Sequence, residues 1–368
     1  MLLKKITNAI LVSGMAVVLT GCGSSASNKV KQVKDAKKEY GCNVINVYNA
    51  GEYIGENVNS DFEKMYNARV NYDTFESNEM MYTKLLGGSA YDVIVPSDYM
   101  IERMISEDML QPLDKSKIPN EKDLNPAVAE MREAFDPGGV YSMPYFWGTV
   151  GLVYNKQIVD EKSIEKKGWE ILRDTKYKNN IFFYDSQRDG FMVAFKALGY
   201  SMNTDDPDQI QKAYNWLRKM NKTMEPAYVT DDIIDGMANY EKAIGIMYSG
   251  DAAYVLSENM DMGWIEPKQG TNKWVDAMVI PKNASCVPLA NDYINYMMSY
   301  NAQLANSEWV GYTPVRLDVE DYLSGPDGDY FENPAYKPRT DGSNDEVFHY
   351  NKELTRQLSD LWNKVKIQ

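Results

Sequence analysis

Short apolar segments alternate with helical patterns in the first third of the chain, and this alternation constrains the fold more than any other feature. Val44–Tyr48, Val70–Phe75 and Tyr91–Pro96 have the β-branched and aromatic content of strands, and amphipathic patterns separate them. Strands that alternate with helices form a parallel sheet, whose ligands bind beyond the carboxyl ends of the strands. The sequence therefore predicts an α/β fold with a binding site near residues 49–53 and 97–99.

The first residues form an export signal rather than part of the fold. Two lysines precede the mostly apolar stretch Ile6–Leu19, which is too short to span a membrane. The small residues before Cys22 resemble the bacterial lipobox, after which cleavage leaves a lipid-modified cysteine. We predict a signal peptide at 1–21, then a lipidated N-terminus and flexible tether at 22–42, on the outer face of the cell membrane. An ordinary cleaved signal is the alternative.

The remaining chain is long enough for two lobes, because about 330 residues exceed what one core usually serves. The apolar segments Tyr145–Asn155 and Trp274–Pro281 are predicted to cross between the lobes. We expect a turn at 311–314 and a surface excursion at 324–345. The predicted division is lobe 1 at 43–146, lobe 2 at 147–275, a return to lobe 1 at 276–310, and completion of lobe 2 with a C-terminal helix at 311–368.

Charge and composition exclude several function classes. The formal net charge is −14, and loss of the two lysines of the signal makes it −16 (37 basic against 53 acidic residues). This argues against binding to nucleic acid or anionic lipid and suits a cationic ligand. A single histidine, His349, leaves little room for a His-based triad, and we find no metal-ligand spacing, phosphate loop or dinucleotide fingerprint. We therefore expect no catalytic residue, no metal and no cofactor.

Cys42 and Cys286 are the cysteines outside the signal region. An oxidising compartment would allow them to pair, but the sequence does not place them side by side. The pairing stays open at this stage, and we favour two free thiols.

A candidate cation site begins at the strand-like segment Lys273–Pro281. Trp274 and Asp276 project from the same face of a strand, so they offer a cation an aromatic surface and a countercharge. Asp189 and Asp251 follow other strands, and carboxylates that converge repel one another unless a cation lies between them. The alternatives are that Trp274 is a core residue and that each aspartate is a surface charge or, for Asp251, a helix cap.

Three segments carry a resemblance to a known family. The resemblance is to the bacterial spermidine/putrescine-binding proteins, and the segments are Thr74–Tyr82, Tyr91–Tyr99 and Trp274–Asp276. It extends in the same order over residues 43–366. The resemblance implies a two-lobe periplasmic-binding-protein fold of the second structural class. It also implies a polyamine ligand held in an interlobe cleft, hinge closure, a monomer, and delivery to the permease of an ABC importer.

The same resemblance implies a set of ligand-binding residues, in which aromatic walls hold the methylene chain and carboxylates bind the amines. These residues are Tyr53, Ser97, Tyr99, Asp189, Tyr248, Asp251, Trp274, Asp276 and Tyr312.

Four positions depart from the family pattern. Ala50 and Tyr248 stand where the family often has tryptophans, and Phe348 stands where some members have a glutamine. Ser186 stands where spermidine-preferring members have an acid, and the adjacent Asp185 is a possible substitute. The choice between putrescine and spermidine is therefore open.

Three other classes share parts of this pattern. A glycosidase would use two of the aspartates as acid and base. A ferric-ion-binding protein would use tyrosinates, and the chain has 27 tyrosines but no adjacent pair. A solute-binding lipoprotein for a neutral sugar, a peptide or another small cation is the nearest rival, because aromatic walls also suit sugar rings.

Overall fold

The computed structural model describes residues 30–367, so the predicted signal peptide and lipid anchor lie outside the described residues. The strands in this range are β1 (Val44–Ala50), β2 (Arg69–Phe75), β3 (Val93–Ile94), β4 (Leu110–Gln111), β5 (Ser142–Asn155), β6 (Ile181–Tyr184), β7 (Ala227–Val229), β8 (Ile244–Tyr248), β9 (Met262–Ile265), β10 (Lys273–Pro281) and β11 (Thr313–Pro314). The α-helices in this range are α1 (Ala36–Tyr40), α2 (Val58–Tyr66), α3 (Asn78–Leu86), α4 (Asp98–Ser106), α5 (Pro126–Arg132), α6 (Glu161–Lys167), α7 (Gln187–Ala197), α8 (Pro207–Met224), α9 (Asp232–Ala238), α10 (Ser249–Glu258), α11 (Val287–Met297), α12 (Tyr300–Val310), α13 (Leu317–Ser324) and α14 (Lys352–Lys366).

The strands follow the order β2-β1-β3-β10-β5-β8-β6-β7. At one end β1 is parallel to β2 and β3, and at the other end β6 is parallel to β7 and β8. Between them β10 and β5 run antiparallel. Each end is thus a parallel unit with crossover helices, and the predicted two-lobe α/β fold is confirmed.

Two long strands connect the units. β5 pairs with β10 from Ser142 to Thr149 and then with β8 from Val150 to Tyr154. β10 also pairs with β3, and its register shifts after Asp276. These are the two strands predicted to cross between lobes, whereas the lobe boundaries themselves remain predictions.

The parallel strands end where site residues begin. β3 leads into α4, β6 into α7 and β8 into α10, so three helix N-termini face the middle of the molecule. Ser186 shows how such a turn is held, because its hydroxyl accepts a hydrogen bond from the Asp189 amide at the start of α7. The loops predicted to carry the site therefore lie together.

The described end of the predicted tether differs from the expectation, because residues 30–42 fold onto the first unit. The Lys34 ammonium lies 3.0 Å from the Asp292 carboxylate, which is buried on α11. Cys42 and Cys286 form a disulfide with a Cα–Cα distance of 6.0 Å, so the expectation of two free thiols is wrong. Sequence could not supply this pairing because 244 residues separate the two cysteines.

One C-terminal expectation is corrected, and a second, which is largely confirmed, gains a detail. Within the expected turn at 311–314, Thr313 and Pro314 form β11, which pairs with β5. The expected surface excursion at 324–345 contributes two buried rings, those of Tyr330 and Tyr336, which stack with centroids 3.8 Å apart. Burial of such aromatic area holds this irregular segment against the second unit.

Candidate ligand-binding cleft

Trp274 lies where the two units meet. Its indole is 7% exposed, and its Nε1–H donates to the Thr149 carbonyl oxygen at 3.3 Å. The ring centroids of Tyr248 and Tyr312 lie 6.0 and 5.6 Å from the Trp274 ring. A Cβ at Gly148 would stand 2.5 Å from this indole, so glycine is needed there. Trp274 is thus a buried residue between two phenol rings, and we take these rings as the walls of the candidate cleft.

Asp276 lies two residues further along β10, and its side chain contacts residues of the first unit. Its carboxylate accepts hydrogen bonds from the Tyr53 hydroxyl, at 2.7 Å, and from the Ser97 side chain. Burial raises the pKa of Asp276 above its ordinary value, and these two hydrogen bonds oppose the rise. Asp98 lies behind it and accepts a hydrogen bond from the Val275 amide at 3.1 Å, and burial raises the Asp98 pKa to about 7.

Asp251 faces the cleft from the start of α10. Its carboxylate accepts a hydrogen bond from the Tyr312 hydroxyl at 2.9 Å, and burial raises its pKa to about 7. No side-chain cap bond is formed at this helix start, so Asp251 is not the N-cap that the alternative proposed. The Tyr312 ring packs against Gly250, where an added Cβ would stand 1.7 Å from the ring.

Asp189 completes the acidic set from the start of α7. It is 4% exposed, and its Oδ2 accepts a hydrogen bond from the Tyr248 hydroxyl at 2.8 Å. Its other oxygen, Oδ1, has no hydrogen-bond partner among residues 30–367. Buried carboxylate oxygens are normally satisfied, so this one has the character of an acceptor awaiting a donor.

Arg188 is a cleft residue that the sequence reasoning missed. Its guanidinium carbon lies 3.3 Å from the centroid of the Tyr99 ring and 5.7 Å from that of Phe348. The Tyr99 hydroxyl contacts Glu79 at 3.1 Å. Arg188 adjoins Asp189 in the chain, and that adjacency was the signal that could have drawn attention to it.

The residues at the end of β6 show what replaces the acid that the family pattern has at Ser186. Asp185 does not substitute for an acid at Ser186, because its carboxylate binds the Lys366 ammonium at 2.7 Å and the Trp362 indole at 2.9 Å. Tyr184 adds an aromatic side that sequence reasoning missed, with its ring centroid 5.2 Å from that of Tyr248. The acid contributed by this loop is therefore Asp189 alone.

The predicted site residues converge around Trp274 as three acid–phenol pairs, while Tyr99 lies apart beneath Arg188. Burial raises the pKa of Tyr53, Tyr248 and Tyr312 well above the ordinary value, so these phenols stay neutral donors. Within residues 30–367 no group of three or more His, Cys, Asp or Glu is arranged to hold a metal ion. None of the helices in that range is long and apolar enough to cross a membrane.

Comparison with known proteins places this chain in a family. The family model described as bacterial extracellular solute-binding protein matches residues 58–338, which is most of the chain. The chain belongs to this family. The matched range contains each predicted ligand-binding residue except Tyr53, which lies just before it.

Curated members of the family resemble the chain over most of its length. It is 34% identical over 284 residues to a spermidine/putrescine-binding periplasmic protein of Escherichia coli, covering 77% of this chain and 80% of that protein. It is 27% identical over 374 residues to the putrescine-binding periplasmic protein SpuD of Pseudomonas aeruginosa, covering 97% of this chain and 93% of that one. The resemblance inferred from three short segments is confirmed.

A solved structure of the family has the same fold. The spermidine/putrescine ABC transporter substrate-binding protein PotD of Streptococcus pneumoniae superposes with a TM-score of 0.77 at 35% identity, covering 88% of this chain and 98% of that chain. The two-lobe solute-binding architecture is therefore shared by chains that differ at most positions.

Proposed function

We propose that this protein binds a polyamine, putrescine or spermidine, in the cleft around Trp274 and delivers it to an ABC importer. The relatives named above as spermidine/putrescine-binding support the ligand class. The observation that carries the proposal is the convergence of Asp276 from one unit with Asp189 and Asp251 from the other, each hydrogen-bonded to a phenol. The reaction is reversible binding, without covalent chemistry and without a cofactor.

The electrostatics of the cleft select a cation. Burial raises the pKa of Asp276 and Asp251, and an ammonium group between them would restore their ionised forms. Each ammonium stacked on an aromatic ring gains about 0.5–2 kcal/mol. Each charge-assisted hydrogen bond adds about 1.5–3 kcal/mol before ordering costs. A few such contacts reach about −8 kcal/mol, which corresponds to micromolar binding.

The position of the acids on both units explains how binding is coupled to closure. The strands β5 and β10 link the two units. A diamine with one nitrogen on Asp276 and the other on Asp251 would bridge these units. The ligand would therefore favour the arrangement in which the units are closed around it. A closed form is the state that a permease can distinguish from the free protein. We propose residues 145–150 and 274–278 as the hinge.

A neutral sugar fits the aromatic walls but not the acids. It would give the buried Asp276 and Asp251 carboxyl groups no countercharge, so it would gain nothing from their ionised forms. A glycosidase would need a bound sugar in the same place and meets the same objection. We therefore place the sugar-binding alternative second.

The location of the protein follows from the predicted anchor. The relatives are periplasmic proteins by name, and we propose that Cys22 carries a lipid that holds a monomer at the outer face of the membrane. Cys22→Ser should release the protein from the membrane fraction into the soluble fraction. Unchanged detergent-phase partition of that variant would contradict lipid anchoring.

Calorimetric titration of the body from residue 30 with putrescine, spermidine, spermine and glucose tests the proposal. We expect saturable binding of at least one polyamine at micromolar concentration or better and no heat from glucose. Asp327→Asn, which removes an exposed carboxylate outside the cleft, is the matched control and should leave affinity unchanged. Binding of glucose with no binding of any amine would overturn the proposal in favour of the sugar alternative.

A further inference from the structure

A C-terminal segment at 339–351, which we call the strap, is fixed to the second unit. The buried Lys196 ammonium on α7 forms an ion pair with Glu346 of the strap. Asn203, which follows α7, accepts a hydrogen bond from the His349 amide at 2.9 Å. These contacts hold the strap to α7 and to the residues after it, so the strap belongs to the second unit.

The strap is also fixed at the start of β10, next to the proposed hinge. The Glu346 amide donates a hydrogen bond to the Thr271 carbonyl oxygen at 3.0 Å, and the Glu346 carbonyl oxygen accepts one from the Lys273 amide at 2.7 Å. The residues that follow this attachment reach the first unit. A rotation about the hinge would therefore change the distance between the end of the strap and the first unit.

Glu102 is the residue of the first unit that receives the end of the strap. It lies on α4, three residues after Tyr99. One of its carboxylate oxygens accepts a hydrogen bond from the Tyr350 amide at 2.5 Å, and the other lies 3.3 Å from Nδ1 of His349. The adjacent Arg103 places its guanidinium carbon 5.3 Å from the centroid of the Tyr350 ring. Each of these contacts joins one unit to the other.

These contacts lie outside the set of assigned ligand-binding residues. The side chains of Glu102 and His349 are 31% and 47% exposed, so the contacts are at the surface rather than in the buried cleft. A contact between the units that does not touch the ligand can still change its affinity, because the apparent affinity depends on the fraction of protein in the binding-competent form.

We infer that Glu102 is a positioning residue that holds the strap against the first unit in the closed form and so slows release of the ligand. This inference rests on the proposed polyamine-binding function. Because Glu102 acts on closure and does not touch the ligand, its loss should weaken putrescine and spermidine binding by the same factor. Because closure follows entry of the ligand, the loss should lie in the dissociation rate.

The test measures association and dissociation rates of putrescine and spermidine by stopped-flow fluorescence, with affinities from calorimetry. Glu102→Ala removes both contacts, Glu102→Gln removes the charge but keeps an acceptor, and His349→Ala removes the side-chain contact alone. Asp108→Asn is the matched control. It also removes one carboxylate, two residues after the end of α4, but Asp108 pairs with Lys282 and not with the strap.

We expect Glu102→Ala to speed the release of both ligands about tenfold, with association rates within about twofold and an unchanged melting temperature of the free protein. Glu102→Gln should speed release about threefold, and the increase should persist at about 1 M salt, where the attraction between an exposed charge and a distant cation is screened. His349→Ala should have about a threefold effect by itself and no further effect in Glu102→Ala, since both changes break one contact. Asp108→Asn should leave all rates unchanged.

The outcomes separate this inference from the proposed function. If the unaltered protein binds no amine, the proposed function fails and the role of Glu102 fails with it. If it binds amines but Glu102→Ala and Glu102→Gln release them at the original rate, the role of Glu102 is overturned while the function stands. A loss that differs between putrescine and spermidine, or that lies in the association rate, would also overturn it. Should Glu102→Ala fail to fold, additive effects of Glu102→Gln and His349→Ala would do the same.

Discussion

The two sides of the cleft hold their carboxylates in different ways. On the β10 side, Asp276 accepts hydrogen bonds from two side chains, those of Tyr53 and Ser97. On the side of α7 and α10, Asp189 and Asp251 each accept one from a phenol, and one Asp189 oxygen is unpartnered among the described residues. The Asp276 carboxylate therefore has most of its hydrogen bonds without a ligand, whereas the carboxylates of the other side have oxygen atoms that can still accept hydrogen bonds from a ligand.

This contrast predicts that changes to Asp189 and Asp251 cause the largest loss of putrescine affinity. Asp189→Asn combined with Asp251→Asn should weaken putrescine binding about a thousandfold, because two charge-assisted hydrogen bonds are lost. Calorimetric titration measures the loss, with Asp327→Asn as the control. A loss of less than about tenfold would show that the ligand does not contact this side.

Asp276→Asn should have a smaller effect, a weakening of about ten- to hundredfold. One charge is lost, but Tyr53 and Ser97 keep the side chain in place, so the geometry of the β10 side survives. Competition with a fluorescent diamine measures the change. A loss larger than that of the double variant would reverse the assigned order of the two sides.

Trp274→Ala should weaken binding by about tenfold or more, because it removes the stacking surface shared by both sides. The quench of tryptophan fluorescence on adding ligand should also disappear in this variant. Trp309, which is 42% exposed, offers the control, since Trp309→Ala should leave both the affinity and the quench unchanged. Retention of the quench in Trp274→Ala would place the ligand elsewhere.

The pH dependence gives the most specific effect, because it reports on one carboxyl group. Burial raises the Asp251 pKa to about 7, and a bound ammonium favours the ionised form, so binding releases a proton when the pH is near or below 7. Affinity should therefore fall as pH drops from 8 to 5.5, by up to about tenfold per unit below the pKa, while aliphatic amines stay charged. Asp251→Asn should flatten this slope, and an unchanged slope would contradict the role of Asp251.

The same shift affects the stability of the free protein in the opposite direction. A carboxyl group whose folded pKa is raised binds more protons folded than unfolded between the ordinary value near 4 and about 7. The unliganded fold should therefore gain stability as pH falls from about 7 towards 4. Putrescine should oppose this trend, because it stabilises the ionised form.

Much of the fold and the site could be predicted because their signals are local. The alternation of strands and helices gives the parallel units, and Trp274 and Asp276 occupy one strand at the spacing that puts both on the same face. The candidate acids were also readable, since Asp189 and Asp251 follow strands and Asp276 lies on one. Local signals suffice wherever the chain positions a residue through its own neighbours.

The remaining features depend on contacts between distant residues. Asp185 and Asp189 lie at the same junction between β6 and α7, yet only packing against α14 decides that Asp185 binds Lys366 and Trp362 while Asp189 contacts Tyr248. The Cys42–Cys286 disulfide is of the same kind. No local pattern distinguishes these cases.

A crystal structure of the complex with putrescine tests the central claim most directly. We predict one nitrogen within about 3 Å of the Asp276 carboxylate and the other within about 3 Å of an Asp251 or Asp189 oxygen, with the methylene chain against Trp274 and Arg188 still on Tyr99. Density for the amine away from these carboxylates, or an empty cleft at saturating putrescine, would contradict the account.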